Sequence, residues 1–229
     1  MNENTALAEI EQIPITDELA LKNADRSKAE NESPEMKEIA TAKNIRKLVL
    51  YPDPILKKEC KKVEKFDSSL KSIIDEMLSI MRESGGIGLA APQIGISDRF
   101  FVCNISGKPE DDMIFINPKL ELSGKLVSGV EKCLSIPGVS VECKRYPKAK
   151  VTYKDLNGNE MVQEFTGKMA IVIQHEYEHT IGRTITDRMN LTDQVINKRQ
   201  LDRLKKIAQL EKEKQEGLRK KAEQERRIK

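Results

Sequence analysis

The stretch Gly167-Lys168-Met169-Ala170-Ile171-Val172-Ile173-Gln174-His175-Glu176-Tyr177-Glu178-His179-Thr180 decides how the rest of the chain is read. It predicts a helix from about Gly167 through Thr180. His175 and His179 stand at i and i+4, one helical turn apart, so both imidazoles can reach one metal ion. Glu176, one position on, can point toward the same site and handle protons. The apolar run Ile171, Val172, Ile173 just before them suits a buried helix that keeps the site dry. The plainer alternative is a pair of surface histidines arranged by chance. Against it, the chain has only 2 histidines and both fall in this pattern.

HExxH alone suggests a zinc protease, so the third ligand decides. One metalloprotease class continues HExxHxxGxxH. Here Gly182 is present, but Ile185 stands where the last histidine belongs. Another class places a glutamate about twenty residues further on; Arg199 is there, and no glutamate occurs between Glu178 and Glu211. The remaining ligand must be a cysteine or a carboxylate. Cys133 is the best candidate, in Glu131-Lys132-Cys133-Leu134-Ser135-Ile136-Pro137-Gly138, a turn-prone setting between strand-like segments. Cys60, in a Lys-rich loop, and Cys103 and Cys143, inside strand patterns, read as small buried or surface residues. A thiolate with two neutral imidazoles suits Zn²⁺ or Fe²⁺ and leaves a fourth position for water. A further unit, Gly86-Ile87-Gly88-Leu89-Ala90-Ala91-Pro92-Gln93, lets backbone approach a ligand closely. It ends on an amide and lacks the Lys-Ser/Thr of a phosphate loop.

Outward from the histidine helix, Val151–Asp155, Asn157-Gly158 and Met161–Phe165 read as a hairpin. Arg99–Ile105, Ile114–Leu120 and Val139–Glu142 read as short strands. Lys47–Leu50 reads as a strand entering a proline-bounded loop. An N-terminal helix is expected after Asp67, a plausible cap. Leu70, Ile73, Ile74, Met77, Leu78 and Met81 fall on one face, and Gly85-Gly86 ends it. A C-terminal helix is expected from near Thr192, carrying Val195, Ile196, Leu201, Leu204, Ile207 and Leu210. The implied class is α+β: small, mostly antiparallel sheets around a central metal-binding helix, flanked by an N-terminal and a C-terminal helix.

The 229 residues are 34% charged, above the globular average of about 25%, with 4% aromatics and no Trp. Residues 1–40 hold ten acids and four bases; residues 191–229 hold thirteen bases and seven acids. Residues 1–43 are therefore read as an acidic, disordered extension, 44–190 as the catalytic domain, and 191–229 as a helix with a net basic tail. No apolar run approaches the ~18 residues of a membrane span. The start resembles neither a secretory signal nor an Arg-rich transit peptide. Four cysteines without CxxC pairing suit a reducing compartment. The expected location is the cytoplasm of a bacterium, with an organelle disfavoured.

Taken together, the three units resemble the peptide deformylases, whose motifs are GφGφAAxQ, EGCφS and HExDH (φ apolar). The resemblance runs from about Val49 to about Leu204, and the C-terminal helix is similar to that of bacterial type 1 members. It implies that Cys133, His175 and His179 bind one divalent metal, commonly Fe²⁺, with Zn²⁺, Ni²⁺ or Co²⁺ possible on the same donors. Glu176 becomes general base and acid. Gln93 and the Leu134 N–H would hold the formyl oxygen, and Glu131 and Arg145 would pair behind the site. Backbone around Ile87 and Gly88 would meet an N-formylmethionyl peptide as an added strand. Ile87, Ile171 and Val172 are candidate walls of the methionine pocket.

The chain departs from the pattern at Lys132 (for Gly), Glu178 (for Asp) and Thr180 (for Leu). Lys132 stands where substrate backbone would approach and could alter affinity or preference. One alternative reading is a catalytically weakened metal-binding homologue. A ribosome contact through the basic tail is compatible with the enzyme; no membrane or DNA partner is expected.

Overall fold

The computed structural model describes residues 46–228; the expected acidic extension, 1–43, lies outside the described residues. The architecture is α+β, as expected. The N-terminal helix α1 spans Ser68–Glu83, the central helix α2 Gly167–Thr180 and the C-terminal helix α3 Leu191–Ile228. The strands are β1 (Gly88–Ala90), β2 (Phe100–Cys103), β3 (Met113–Ser123), β4 (Val127–Glu131), β5 (Val141–Arg145), β6 (Lys148–Lys154) and β7 (Glu160–Thr166). Five form one sheet in the order β1-β2-β3-β6-β7, and β4 pairs with β5 in a second. Every pairing is antiparallel. No described helix is long and apolar enough to cross a membrane.

Each helix forms for a local reason. The Asp67 carboxylate accepts from the N–H groups of Ser69 and Leu70, 3.0 and 3.2 Å away, satisfying donors that a helix start leaves orphaned. Leu70, Ile74, Met77, Leu78, Ile80 and Met81 then bury one face of α1, so the apolar stripe anticipated from spacing is the one that packs. It meets Leu89, Phe100, Val102 and Ile116 of the large sheet. α2 packs on the same sheet through Ala170, Val172 and Ile173, against Phe101, Phe115, Val151 and Phe165. Phe115 is the hub, its ring 4.9 Å from Phe101, 4.7 Å from Tyr153 and 5.6 Å from Phe165. A third cluster joins Ile136, Val139 and Val141 to Leu204 of α3.

Several local expectations need correcting. Lys47–Leu50 does not join a ladder. Val49 N–H donates to Gln93 and Tyr51 N–H to Ser135, both at 2.8 Å, so two separate loops take up its bonds. The hairpin across Asn157-Gly158, by contrast, forms as expected: its strands end at Lys154 and resume at Glu160. The Asp155 carboxylate accepts from the N–H groups of Asn157 and Asn159, organising the loop, in which Gly158 takes the positive φ. β4 was not anticipated, because its alternation is weak: Val130 is an exposed apolar residue beside Gly129. β3 carries a bulge between Ile116 and Lys119. There Asn117, at φ +52°, turns its amide onto both the N–H and C=O of Val63.

Candidate metal centre

Three segments far apart in sequence deliver the site. α2 brings His175, Glu176 and His179; the loop after β4 brings Cys133; the segment around β1 brings Gly86, Gly88 and Gln93. The Cys133 Sγ and the ring nitrogens of His175 and His179 all lie within 4.8 Å of one another, and among the described residues no other such group of His, Cys, Asp or Glu occurs. Sγ stands 3.3 Å from His179 Nε2. Tetrahedral bonds of about 2.3 Å to sulfur and 2.0–2.1 Å to nitrogen would put such atoms roughly 3.3–3.6 Å apart, so the donors fit a single ion. Cys60, Cys103 and Cys143 stay outside the group as free buried thiols. Burial pushes Cys60 up to about 11 and Cys143 up to about 12.

The surroundings orient these groups. His175 donates from Nδ1 to Glu131 Oε2 at 2.8 Å, which turns its other nitrogen toward Cys133 and His179. Glu131 is gripped by Arg145, whose Nε and Nη2 lie 2.7 and 2.8 Å from its two oxygens. Burial would raise the Glu131 carboxyl, but Arg145 and His175 outweigh it and bring the group to about 2. Arg145 also lies 2.9 Å from Glu178. Burial would press His175 down, yet Cys133 and Glu131 hold it well above the usual histidine range. Burial, with the charge of His175, presses His179 well below it, which leaves its lone pair free to coordinate.

Gln93 is wholly buried. Its Oε1 accepts from Ala90 N–H at 2.8 Å, so the amide's donor end is fixed toward Ser135 Oγ at 3.2 Å and Cys133 Sγ at 3.5 Å. Glu176 is buried with Oε2 lacking any protein hydrogen bond; burial pushes its carboxyl up to about 7, with His175 pulling it back. The two glycines of the Gly-x-Gly unit make room for these parts. A β-carbon at Gly88 would lie 2.4 Å from Glu176 Oε1, and one at Gly86 would lie 2.6 Å from Leu134 Cδ1.

Other anticipated residues divide. The Ile87 carbonyl accepts from Asn104 and so faces β2, and strand alternation turns the Gly88 N–H and C=O to the free edge of the sheet. Ile87 and Val172 share one apolar cluster, while Ile171 is half-buried outside the three clusters. Lys132 is exposed, and Thr180 is buried with its hydroxyl bonded to Tyr177 O at 2.7 Å. Sequence reasoning missed Ser135 and Arg188, the latter bonded to Glu178. The one signal for Arg188 was Gly182: at φ +74°, with Lys57 O only 2.6 Å from where a β-carbon would sit, it reverses the chain so that residues 183–188 return over Glu178.

Residues 45–195 match the family model described as polypeptide deformylase. The chain is 39% identical over 160 residues to a peptide deformylase of Thermotoga neapolitana, covering 69% of this chain and 96% of that one. It is also 39% identical over 154 residues to the chloroplastic/mitochondrial peptide deformylase 1B of Arabidopsis thaliana, there spanning 66% of this chain but 56% of the relative's length. Among solved structures, a peptide deformylase from Plasmodium falciparum superposes with a TM-score of 0.70 at 36% identity, covering 72% of this chain and 98% of that one.

Proposed function

The chain belongs to the polypeptide deformylase family, hydrolases that remove the formyl group from the N-terminal methionine of nascent polypeptides, and from that premise we propose a role for each residue of the site. Cys133, His175 and His179 hold one divalent ion. Fe²⁺ is the foremost candidate, with Zn²⁺, Ni²⁺ and Co²⁺ compatible with the same donors. The observation that carries this reading is the meeting, in one buried place, of those three donors with the Gln93 amide and the Glu176 carboxylate.

Such an ion supplies Lewis acidity, lowering the pKa of water at the site from about 15.7 toward about 7. Glu176 takes the proton from that water as its oxygen adds to the formyl carbon. The Gln93 Nε2 and the Leu134 N–H donate to the formyl oxygen as it becomes negative, a contribution of about 3–4 kcal/mol per donor in comparable sites. Glu176 then returns the proton to the leaving amine, the C–N bond breaks, and formate departs. Gly88 offers its N–H and C=O to the peptide as an added strand, and Ile87, Ile171 and Val172 take the methionine side chain. Glu131 and Arg145 keep His175 aimed. No observation favours a catalytically weakened homologue.

The expected partners are N-formylmethionyl nascent chains. A ribosome contact through the basic end of α3 would raise encounter rates. Free thiols suit a reducing compartment, and the bacterial cytoplasm is the proposed location. The test is formate release from formyl-Met-Ala-Ser by protein purified without oxygen and again after Ni²⁺ loading, with Glu176→Ala as control. Turnover that vanishes in the control supports the assignment, whereas a folded, metal-loaded sample with no turnover sinks it. Running Lys132→Gly across several formyl peptides in the same assay reads whether Lys132 tunes preference; identical kinetics would remove that role.

A further inference from the structure

Glu178 takes no part in the chemistry above, yet its side chain is only 10% exposed and its carboxylate is shared by two guanidiniums. On one side lies Arg145, itself 2% exposed, with Nη1 at 2.9 Å from Oε2. On the other, Arg188 places Nε 3.0 and 2.9 Å from the two oxygens and closes Nη2 on Oε1. Arg145 continues to Glu131, and Glu131 to His175. The links form one unbroken chain of alternating charge: Arg188, Glu178, Arg145, Glu131, His175. One end is an arginine whose side chain is 31% exposed; the other is an imidazole of the metal cluster.

Charge balance gives Arg188 its role. Two carboxylates, Glu131 and Glu178, face the single buried cation Arg145. Without Arg188 they would compete for it, and an under-paired buried carboxylate is costly. Any pull of Arg145 toward Glu178 weakens the two bonds that hold Glu131 under His175. The geometry points to Arg188 as a positioning residue for the metal centre: by neutralising Glu178 it leaves Arg145 to Glu131, and so keeps the His175 ring aimed at the ion. This inference rests on the reading that Cys133, His175 and His179 hold a metal.

The structure contains its own control. Arg188 belongs to a short 3₁₀ turn, Ile185–Arg188, and that turn has a second anchor. Lys57 Nζ donates to Thr184 Oγ1 at 3.2 Å and Thr186 Oγ1 at 3.4 Å, and pairs with Asp187. Lys57 steadies the same turn without joining the chain that ends at His175.

The experiment loads the full chain with Co²⁺ and follows its release to EDTA through the thiolate-to-Co²⁺ absorption, with the d–d bands reporting ligand geometry. Arg188→Gln is expected to release Co²⁺ about 10–100-fold faster than the wild type, the usual cost of losing a group that orients a metal ligand, and to shift the d–d bands. Arg188→Lys should show a smaller change in the same direction, because it keeps the charge but not the fork. Lys57→Met should lower the thermal midpoint and leave release unchanged. Release by Arg188→Gln within about twofold of wild type, well under the loss expected for such a group, overturns the inference. So does Lys57→Met matching Arg188→Gln, since turn stability would then be the cause. If Arg188→Gln does not fold, Arg188→Lys decides: wild-type release and spectrum overturn the inference, faster release supports it. A wild type that takes up no Co²⁺ would overturn the metal reading itself and this inference with it; unchanged release in the variants sinks only the positioning role.

Discussion

Gly88 is the tightest point in the site. A β-carbon there would sit 2.4 Å from Glu176 Oε1 and 2.7 Å from its Cγ, so alanine cannot enter without moving Glu176, the proposed base. Its φ is not in the left-handed region, which leaves space, not backbone strain, as the constraint. Gly88→Ala should therefore keep the fold and Co²⁺ uptake but lower formate release by about 100-fold, the usual effect of a ~1 Å misplacement at a reacting centre. A variant that loses its metal or its thermal midpoint instead would show the glycine to be structural. In the sequence, Gly86-Ile87-Gly88 indicated a close backbone approach to a ligand. In the structure the near neighbours are the protein's own Leu134 and Glu176 side chains. No local pattern carries that information, because Glu176 lies 88 positions further along the chain.

Among the elements, α1 and α3 show opposite relations between pattern and packing. α1 buries the face its spacing announced, and its cap can be tested. Hydrogen bonds from Ser69 and Leu70 hold the Asp67 carboxyl below its usual 3.8. A carboxyl lowered in the folded state contributes stability that is present above its unfolded pKa and lost as pH falls through the folded value. Asp67→Ala should lower the thermal midpoint at neutral pH by a few degrees, and the gap from wild type should close as pH falls below about 4. Asp67→Asn, still able to accept, should fall between them. Melts that stay equally far apart at pH 7 and pH 2.5 would deny the cap its ionic part. In α3 the apolar residues at Val195 and Ile196 are 77% and 72% exposed, whereas Asn197 and Leu204 are buried. The helix docks through polar groups: the Asn197 amide donates to Ser140 O at 2.9 Å and accepts from its N–H, and Gln200 donates to Pro137 O at 2.8 Å. The loop carrying Cys133 runs on into residues 137–140, whose backbone groups need partners, and that need, together with the packing of Leu201 and Leu204 on the cluster of Ile136, Val139 and Val141, sets which face of α3 turns inward.

At the scale of the whole molecule, α3 separates a docked half from an extended one. Beyond Leu204 its side chains are mostly exposed, so a chain ending at Leu210 should melt with the full-length protein and release formate from free peptide at the same rate. Cosedimentation with ribosomes at low salt should weaken in that truncation, as loss of basic contacts to RNA requires; unchanged cosedimentation would remove the tail from the ribosome contact. What the sequence by itself determined was local. The i, i+4 histidines come to one face of α2 because helical geometry dictates it, α1 follows from a cap and a 3.6-residue stripe, and the order of elements excludes regular βαβ alternation. From the residues alone the third ligand stayed open between a cysteine and a carboxylate, with Cys133 the best candidate, and the shared motifs then singled it out. Tertiary structure decided which polar groups meet: Gln93 beside Cys133, Glu131 between Arg145 and His175, Glu178 between two arginines. Those partners lie 10 to 44 positions apart, and they are set by how α2 packs on the five-stranded sheet and how β4 pairs with β5. A periodicity spans a few residues of one element, so it cannot encode contacts made when separate elements close on one another.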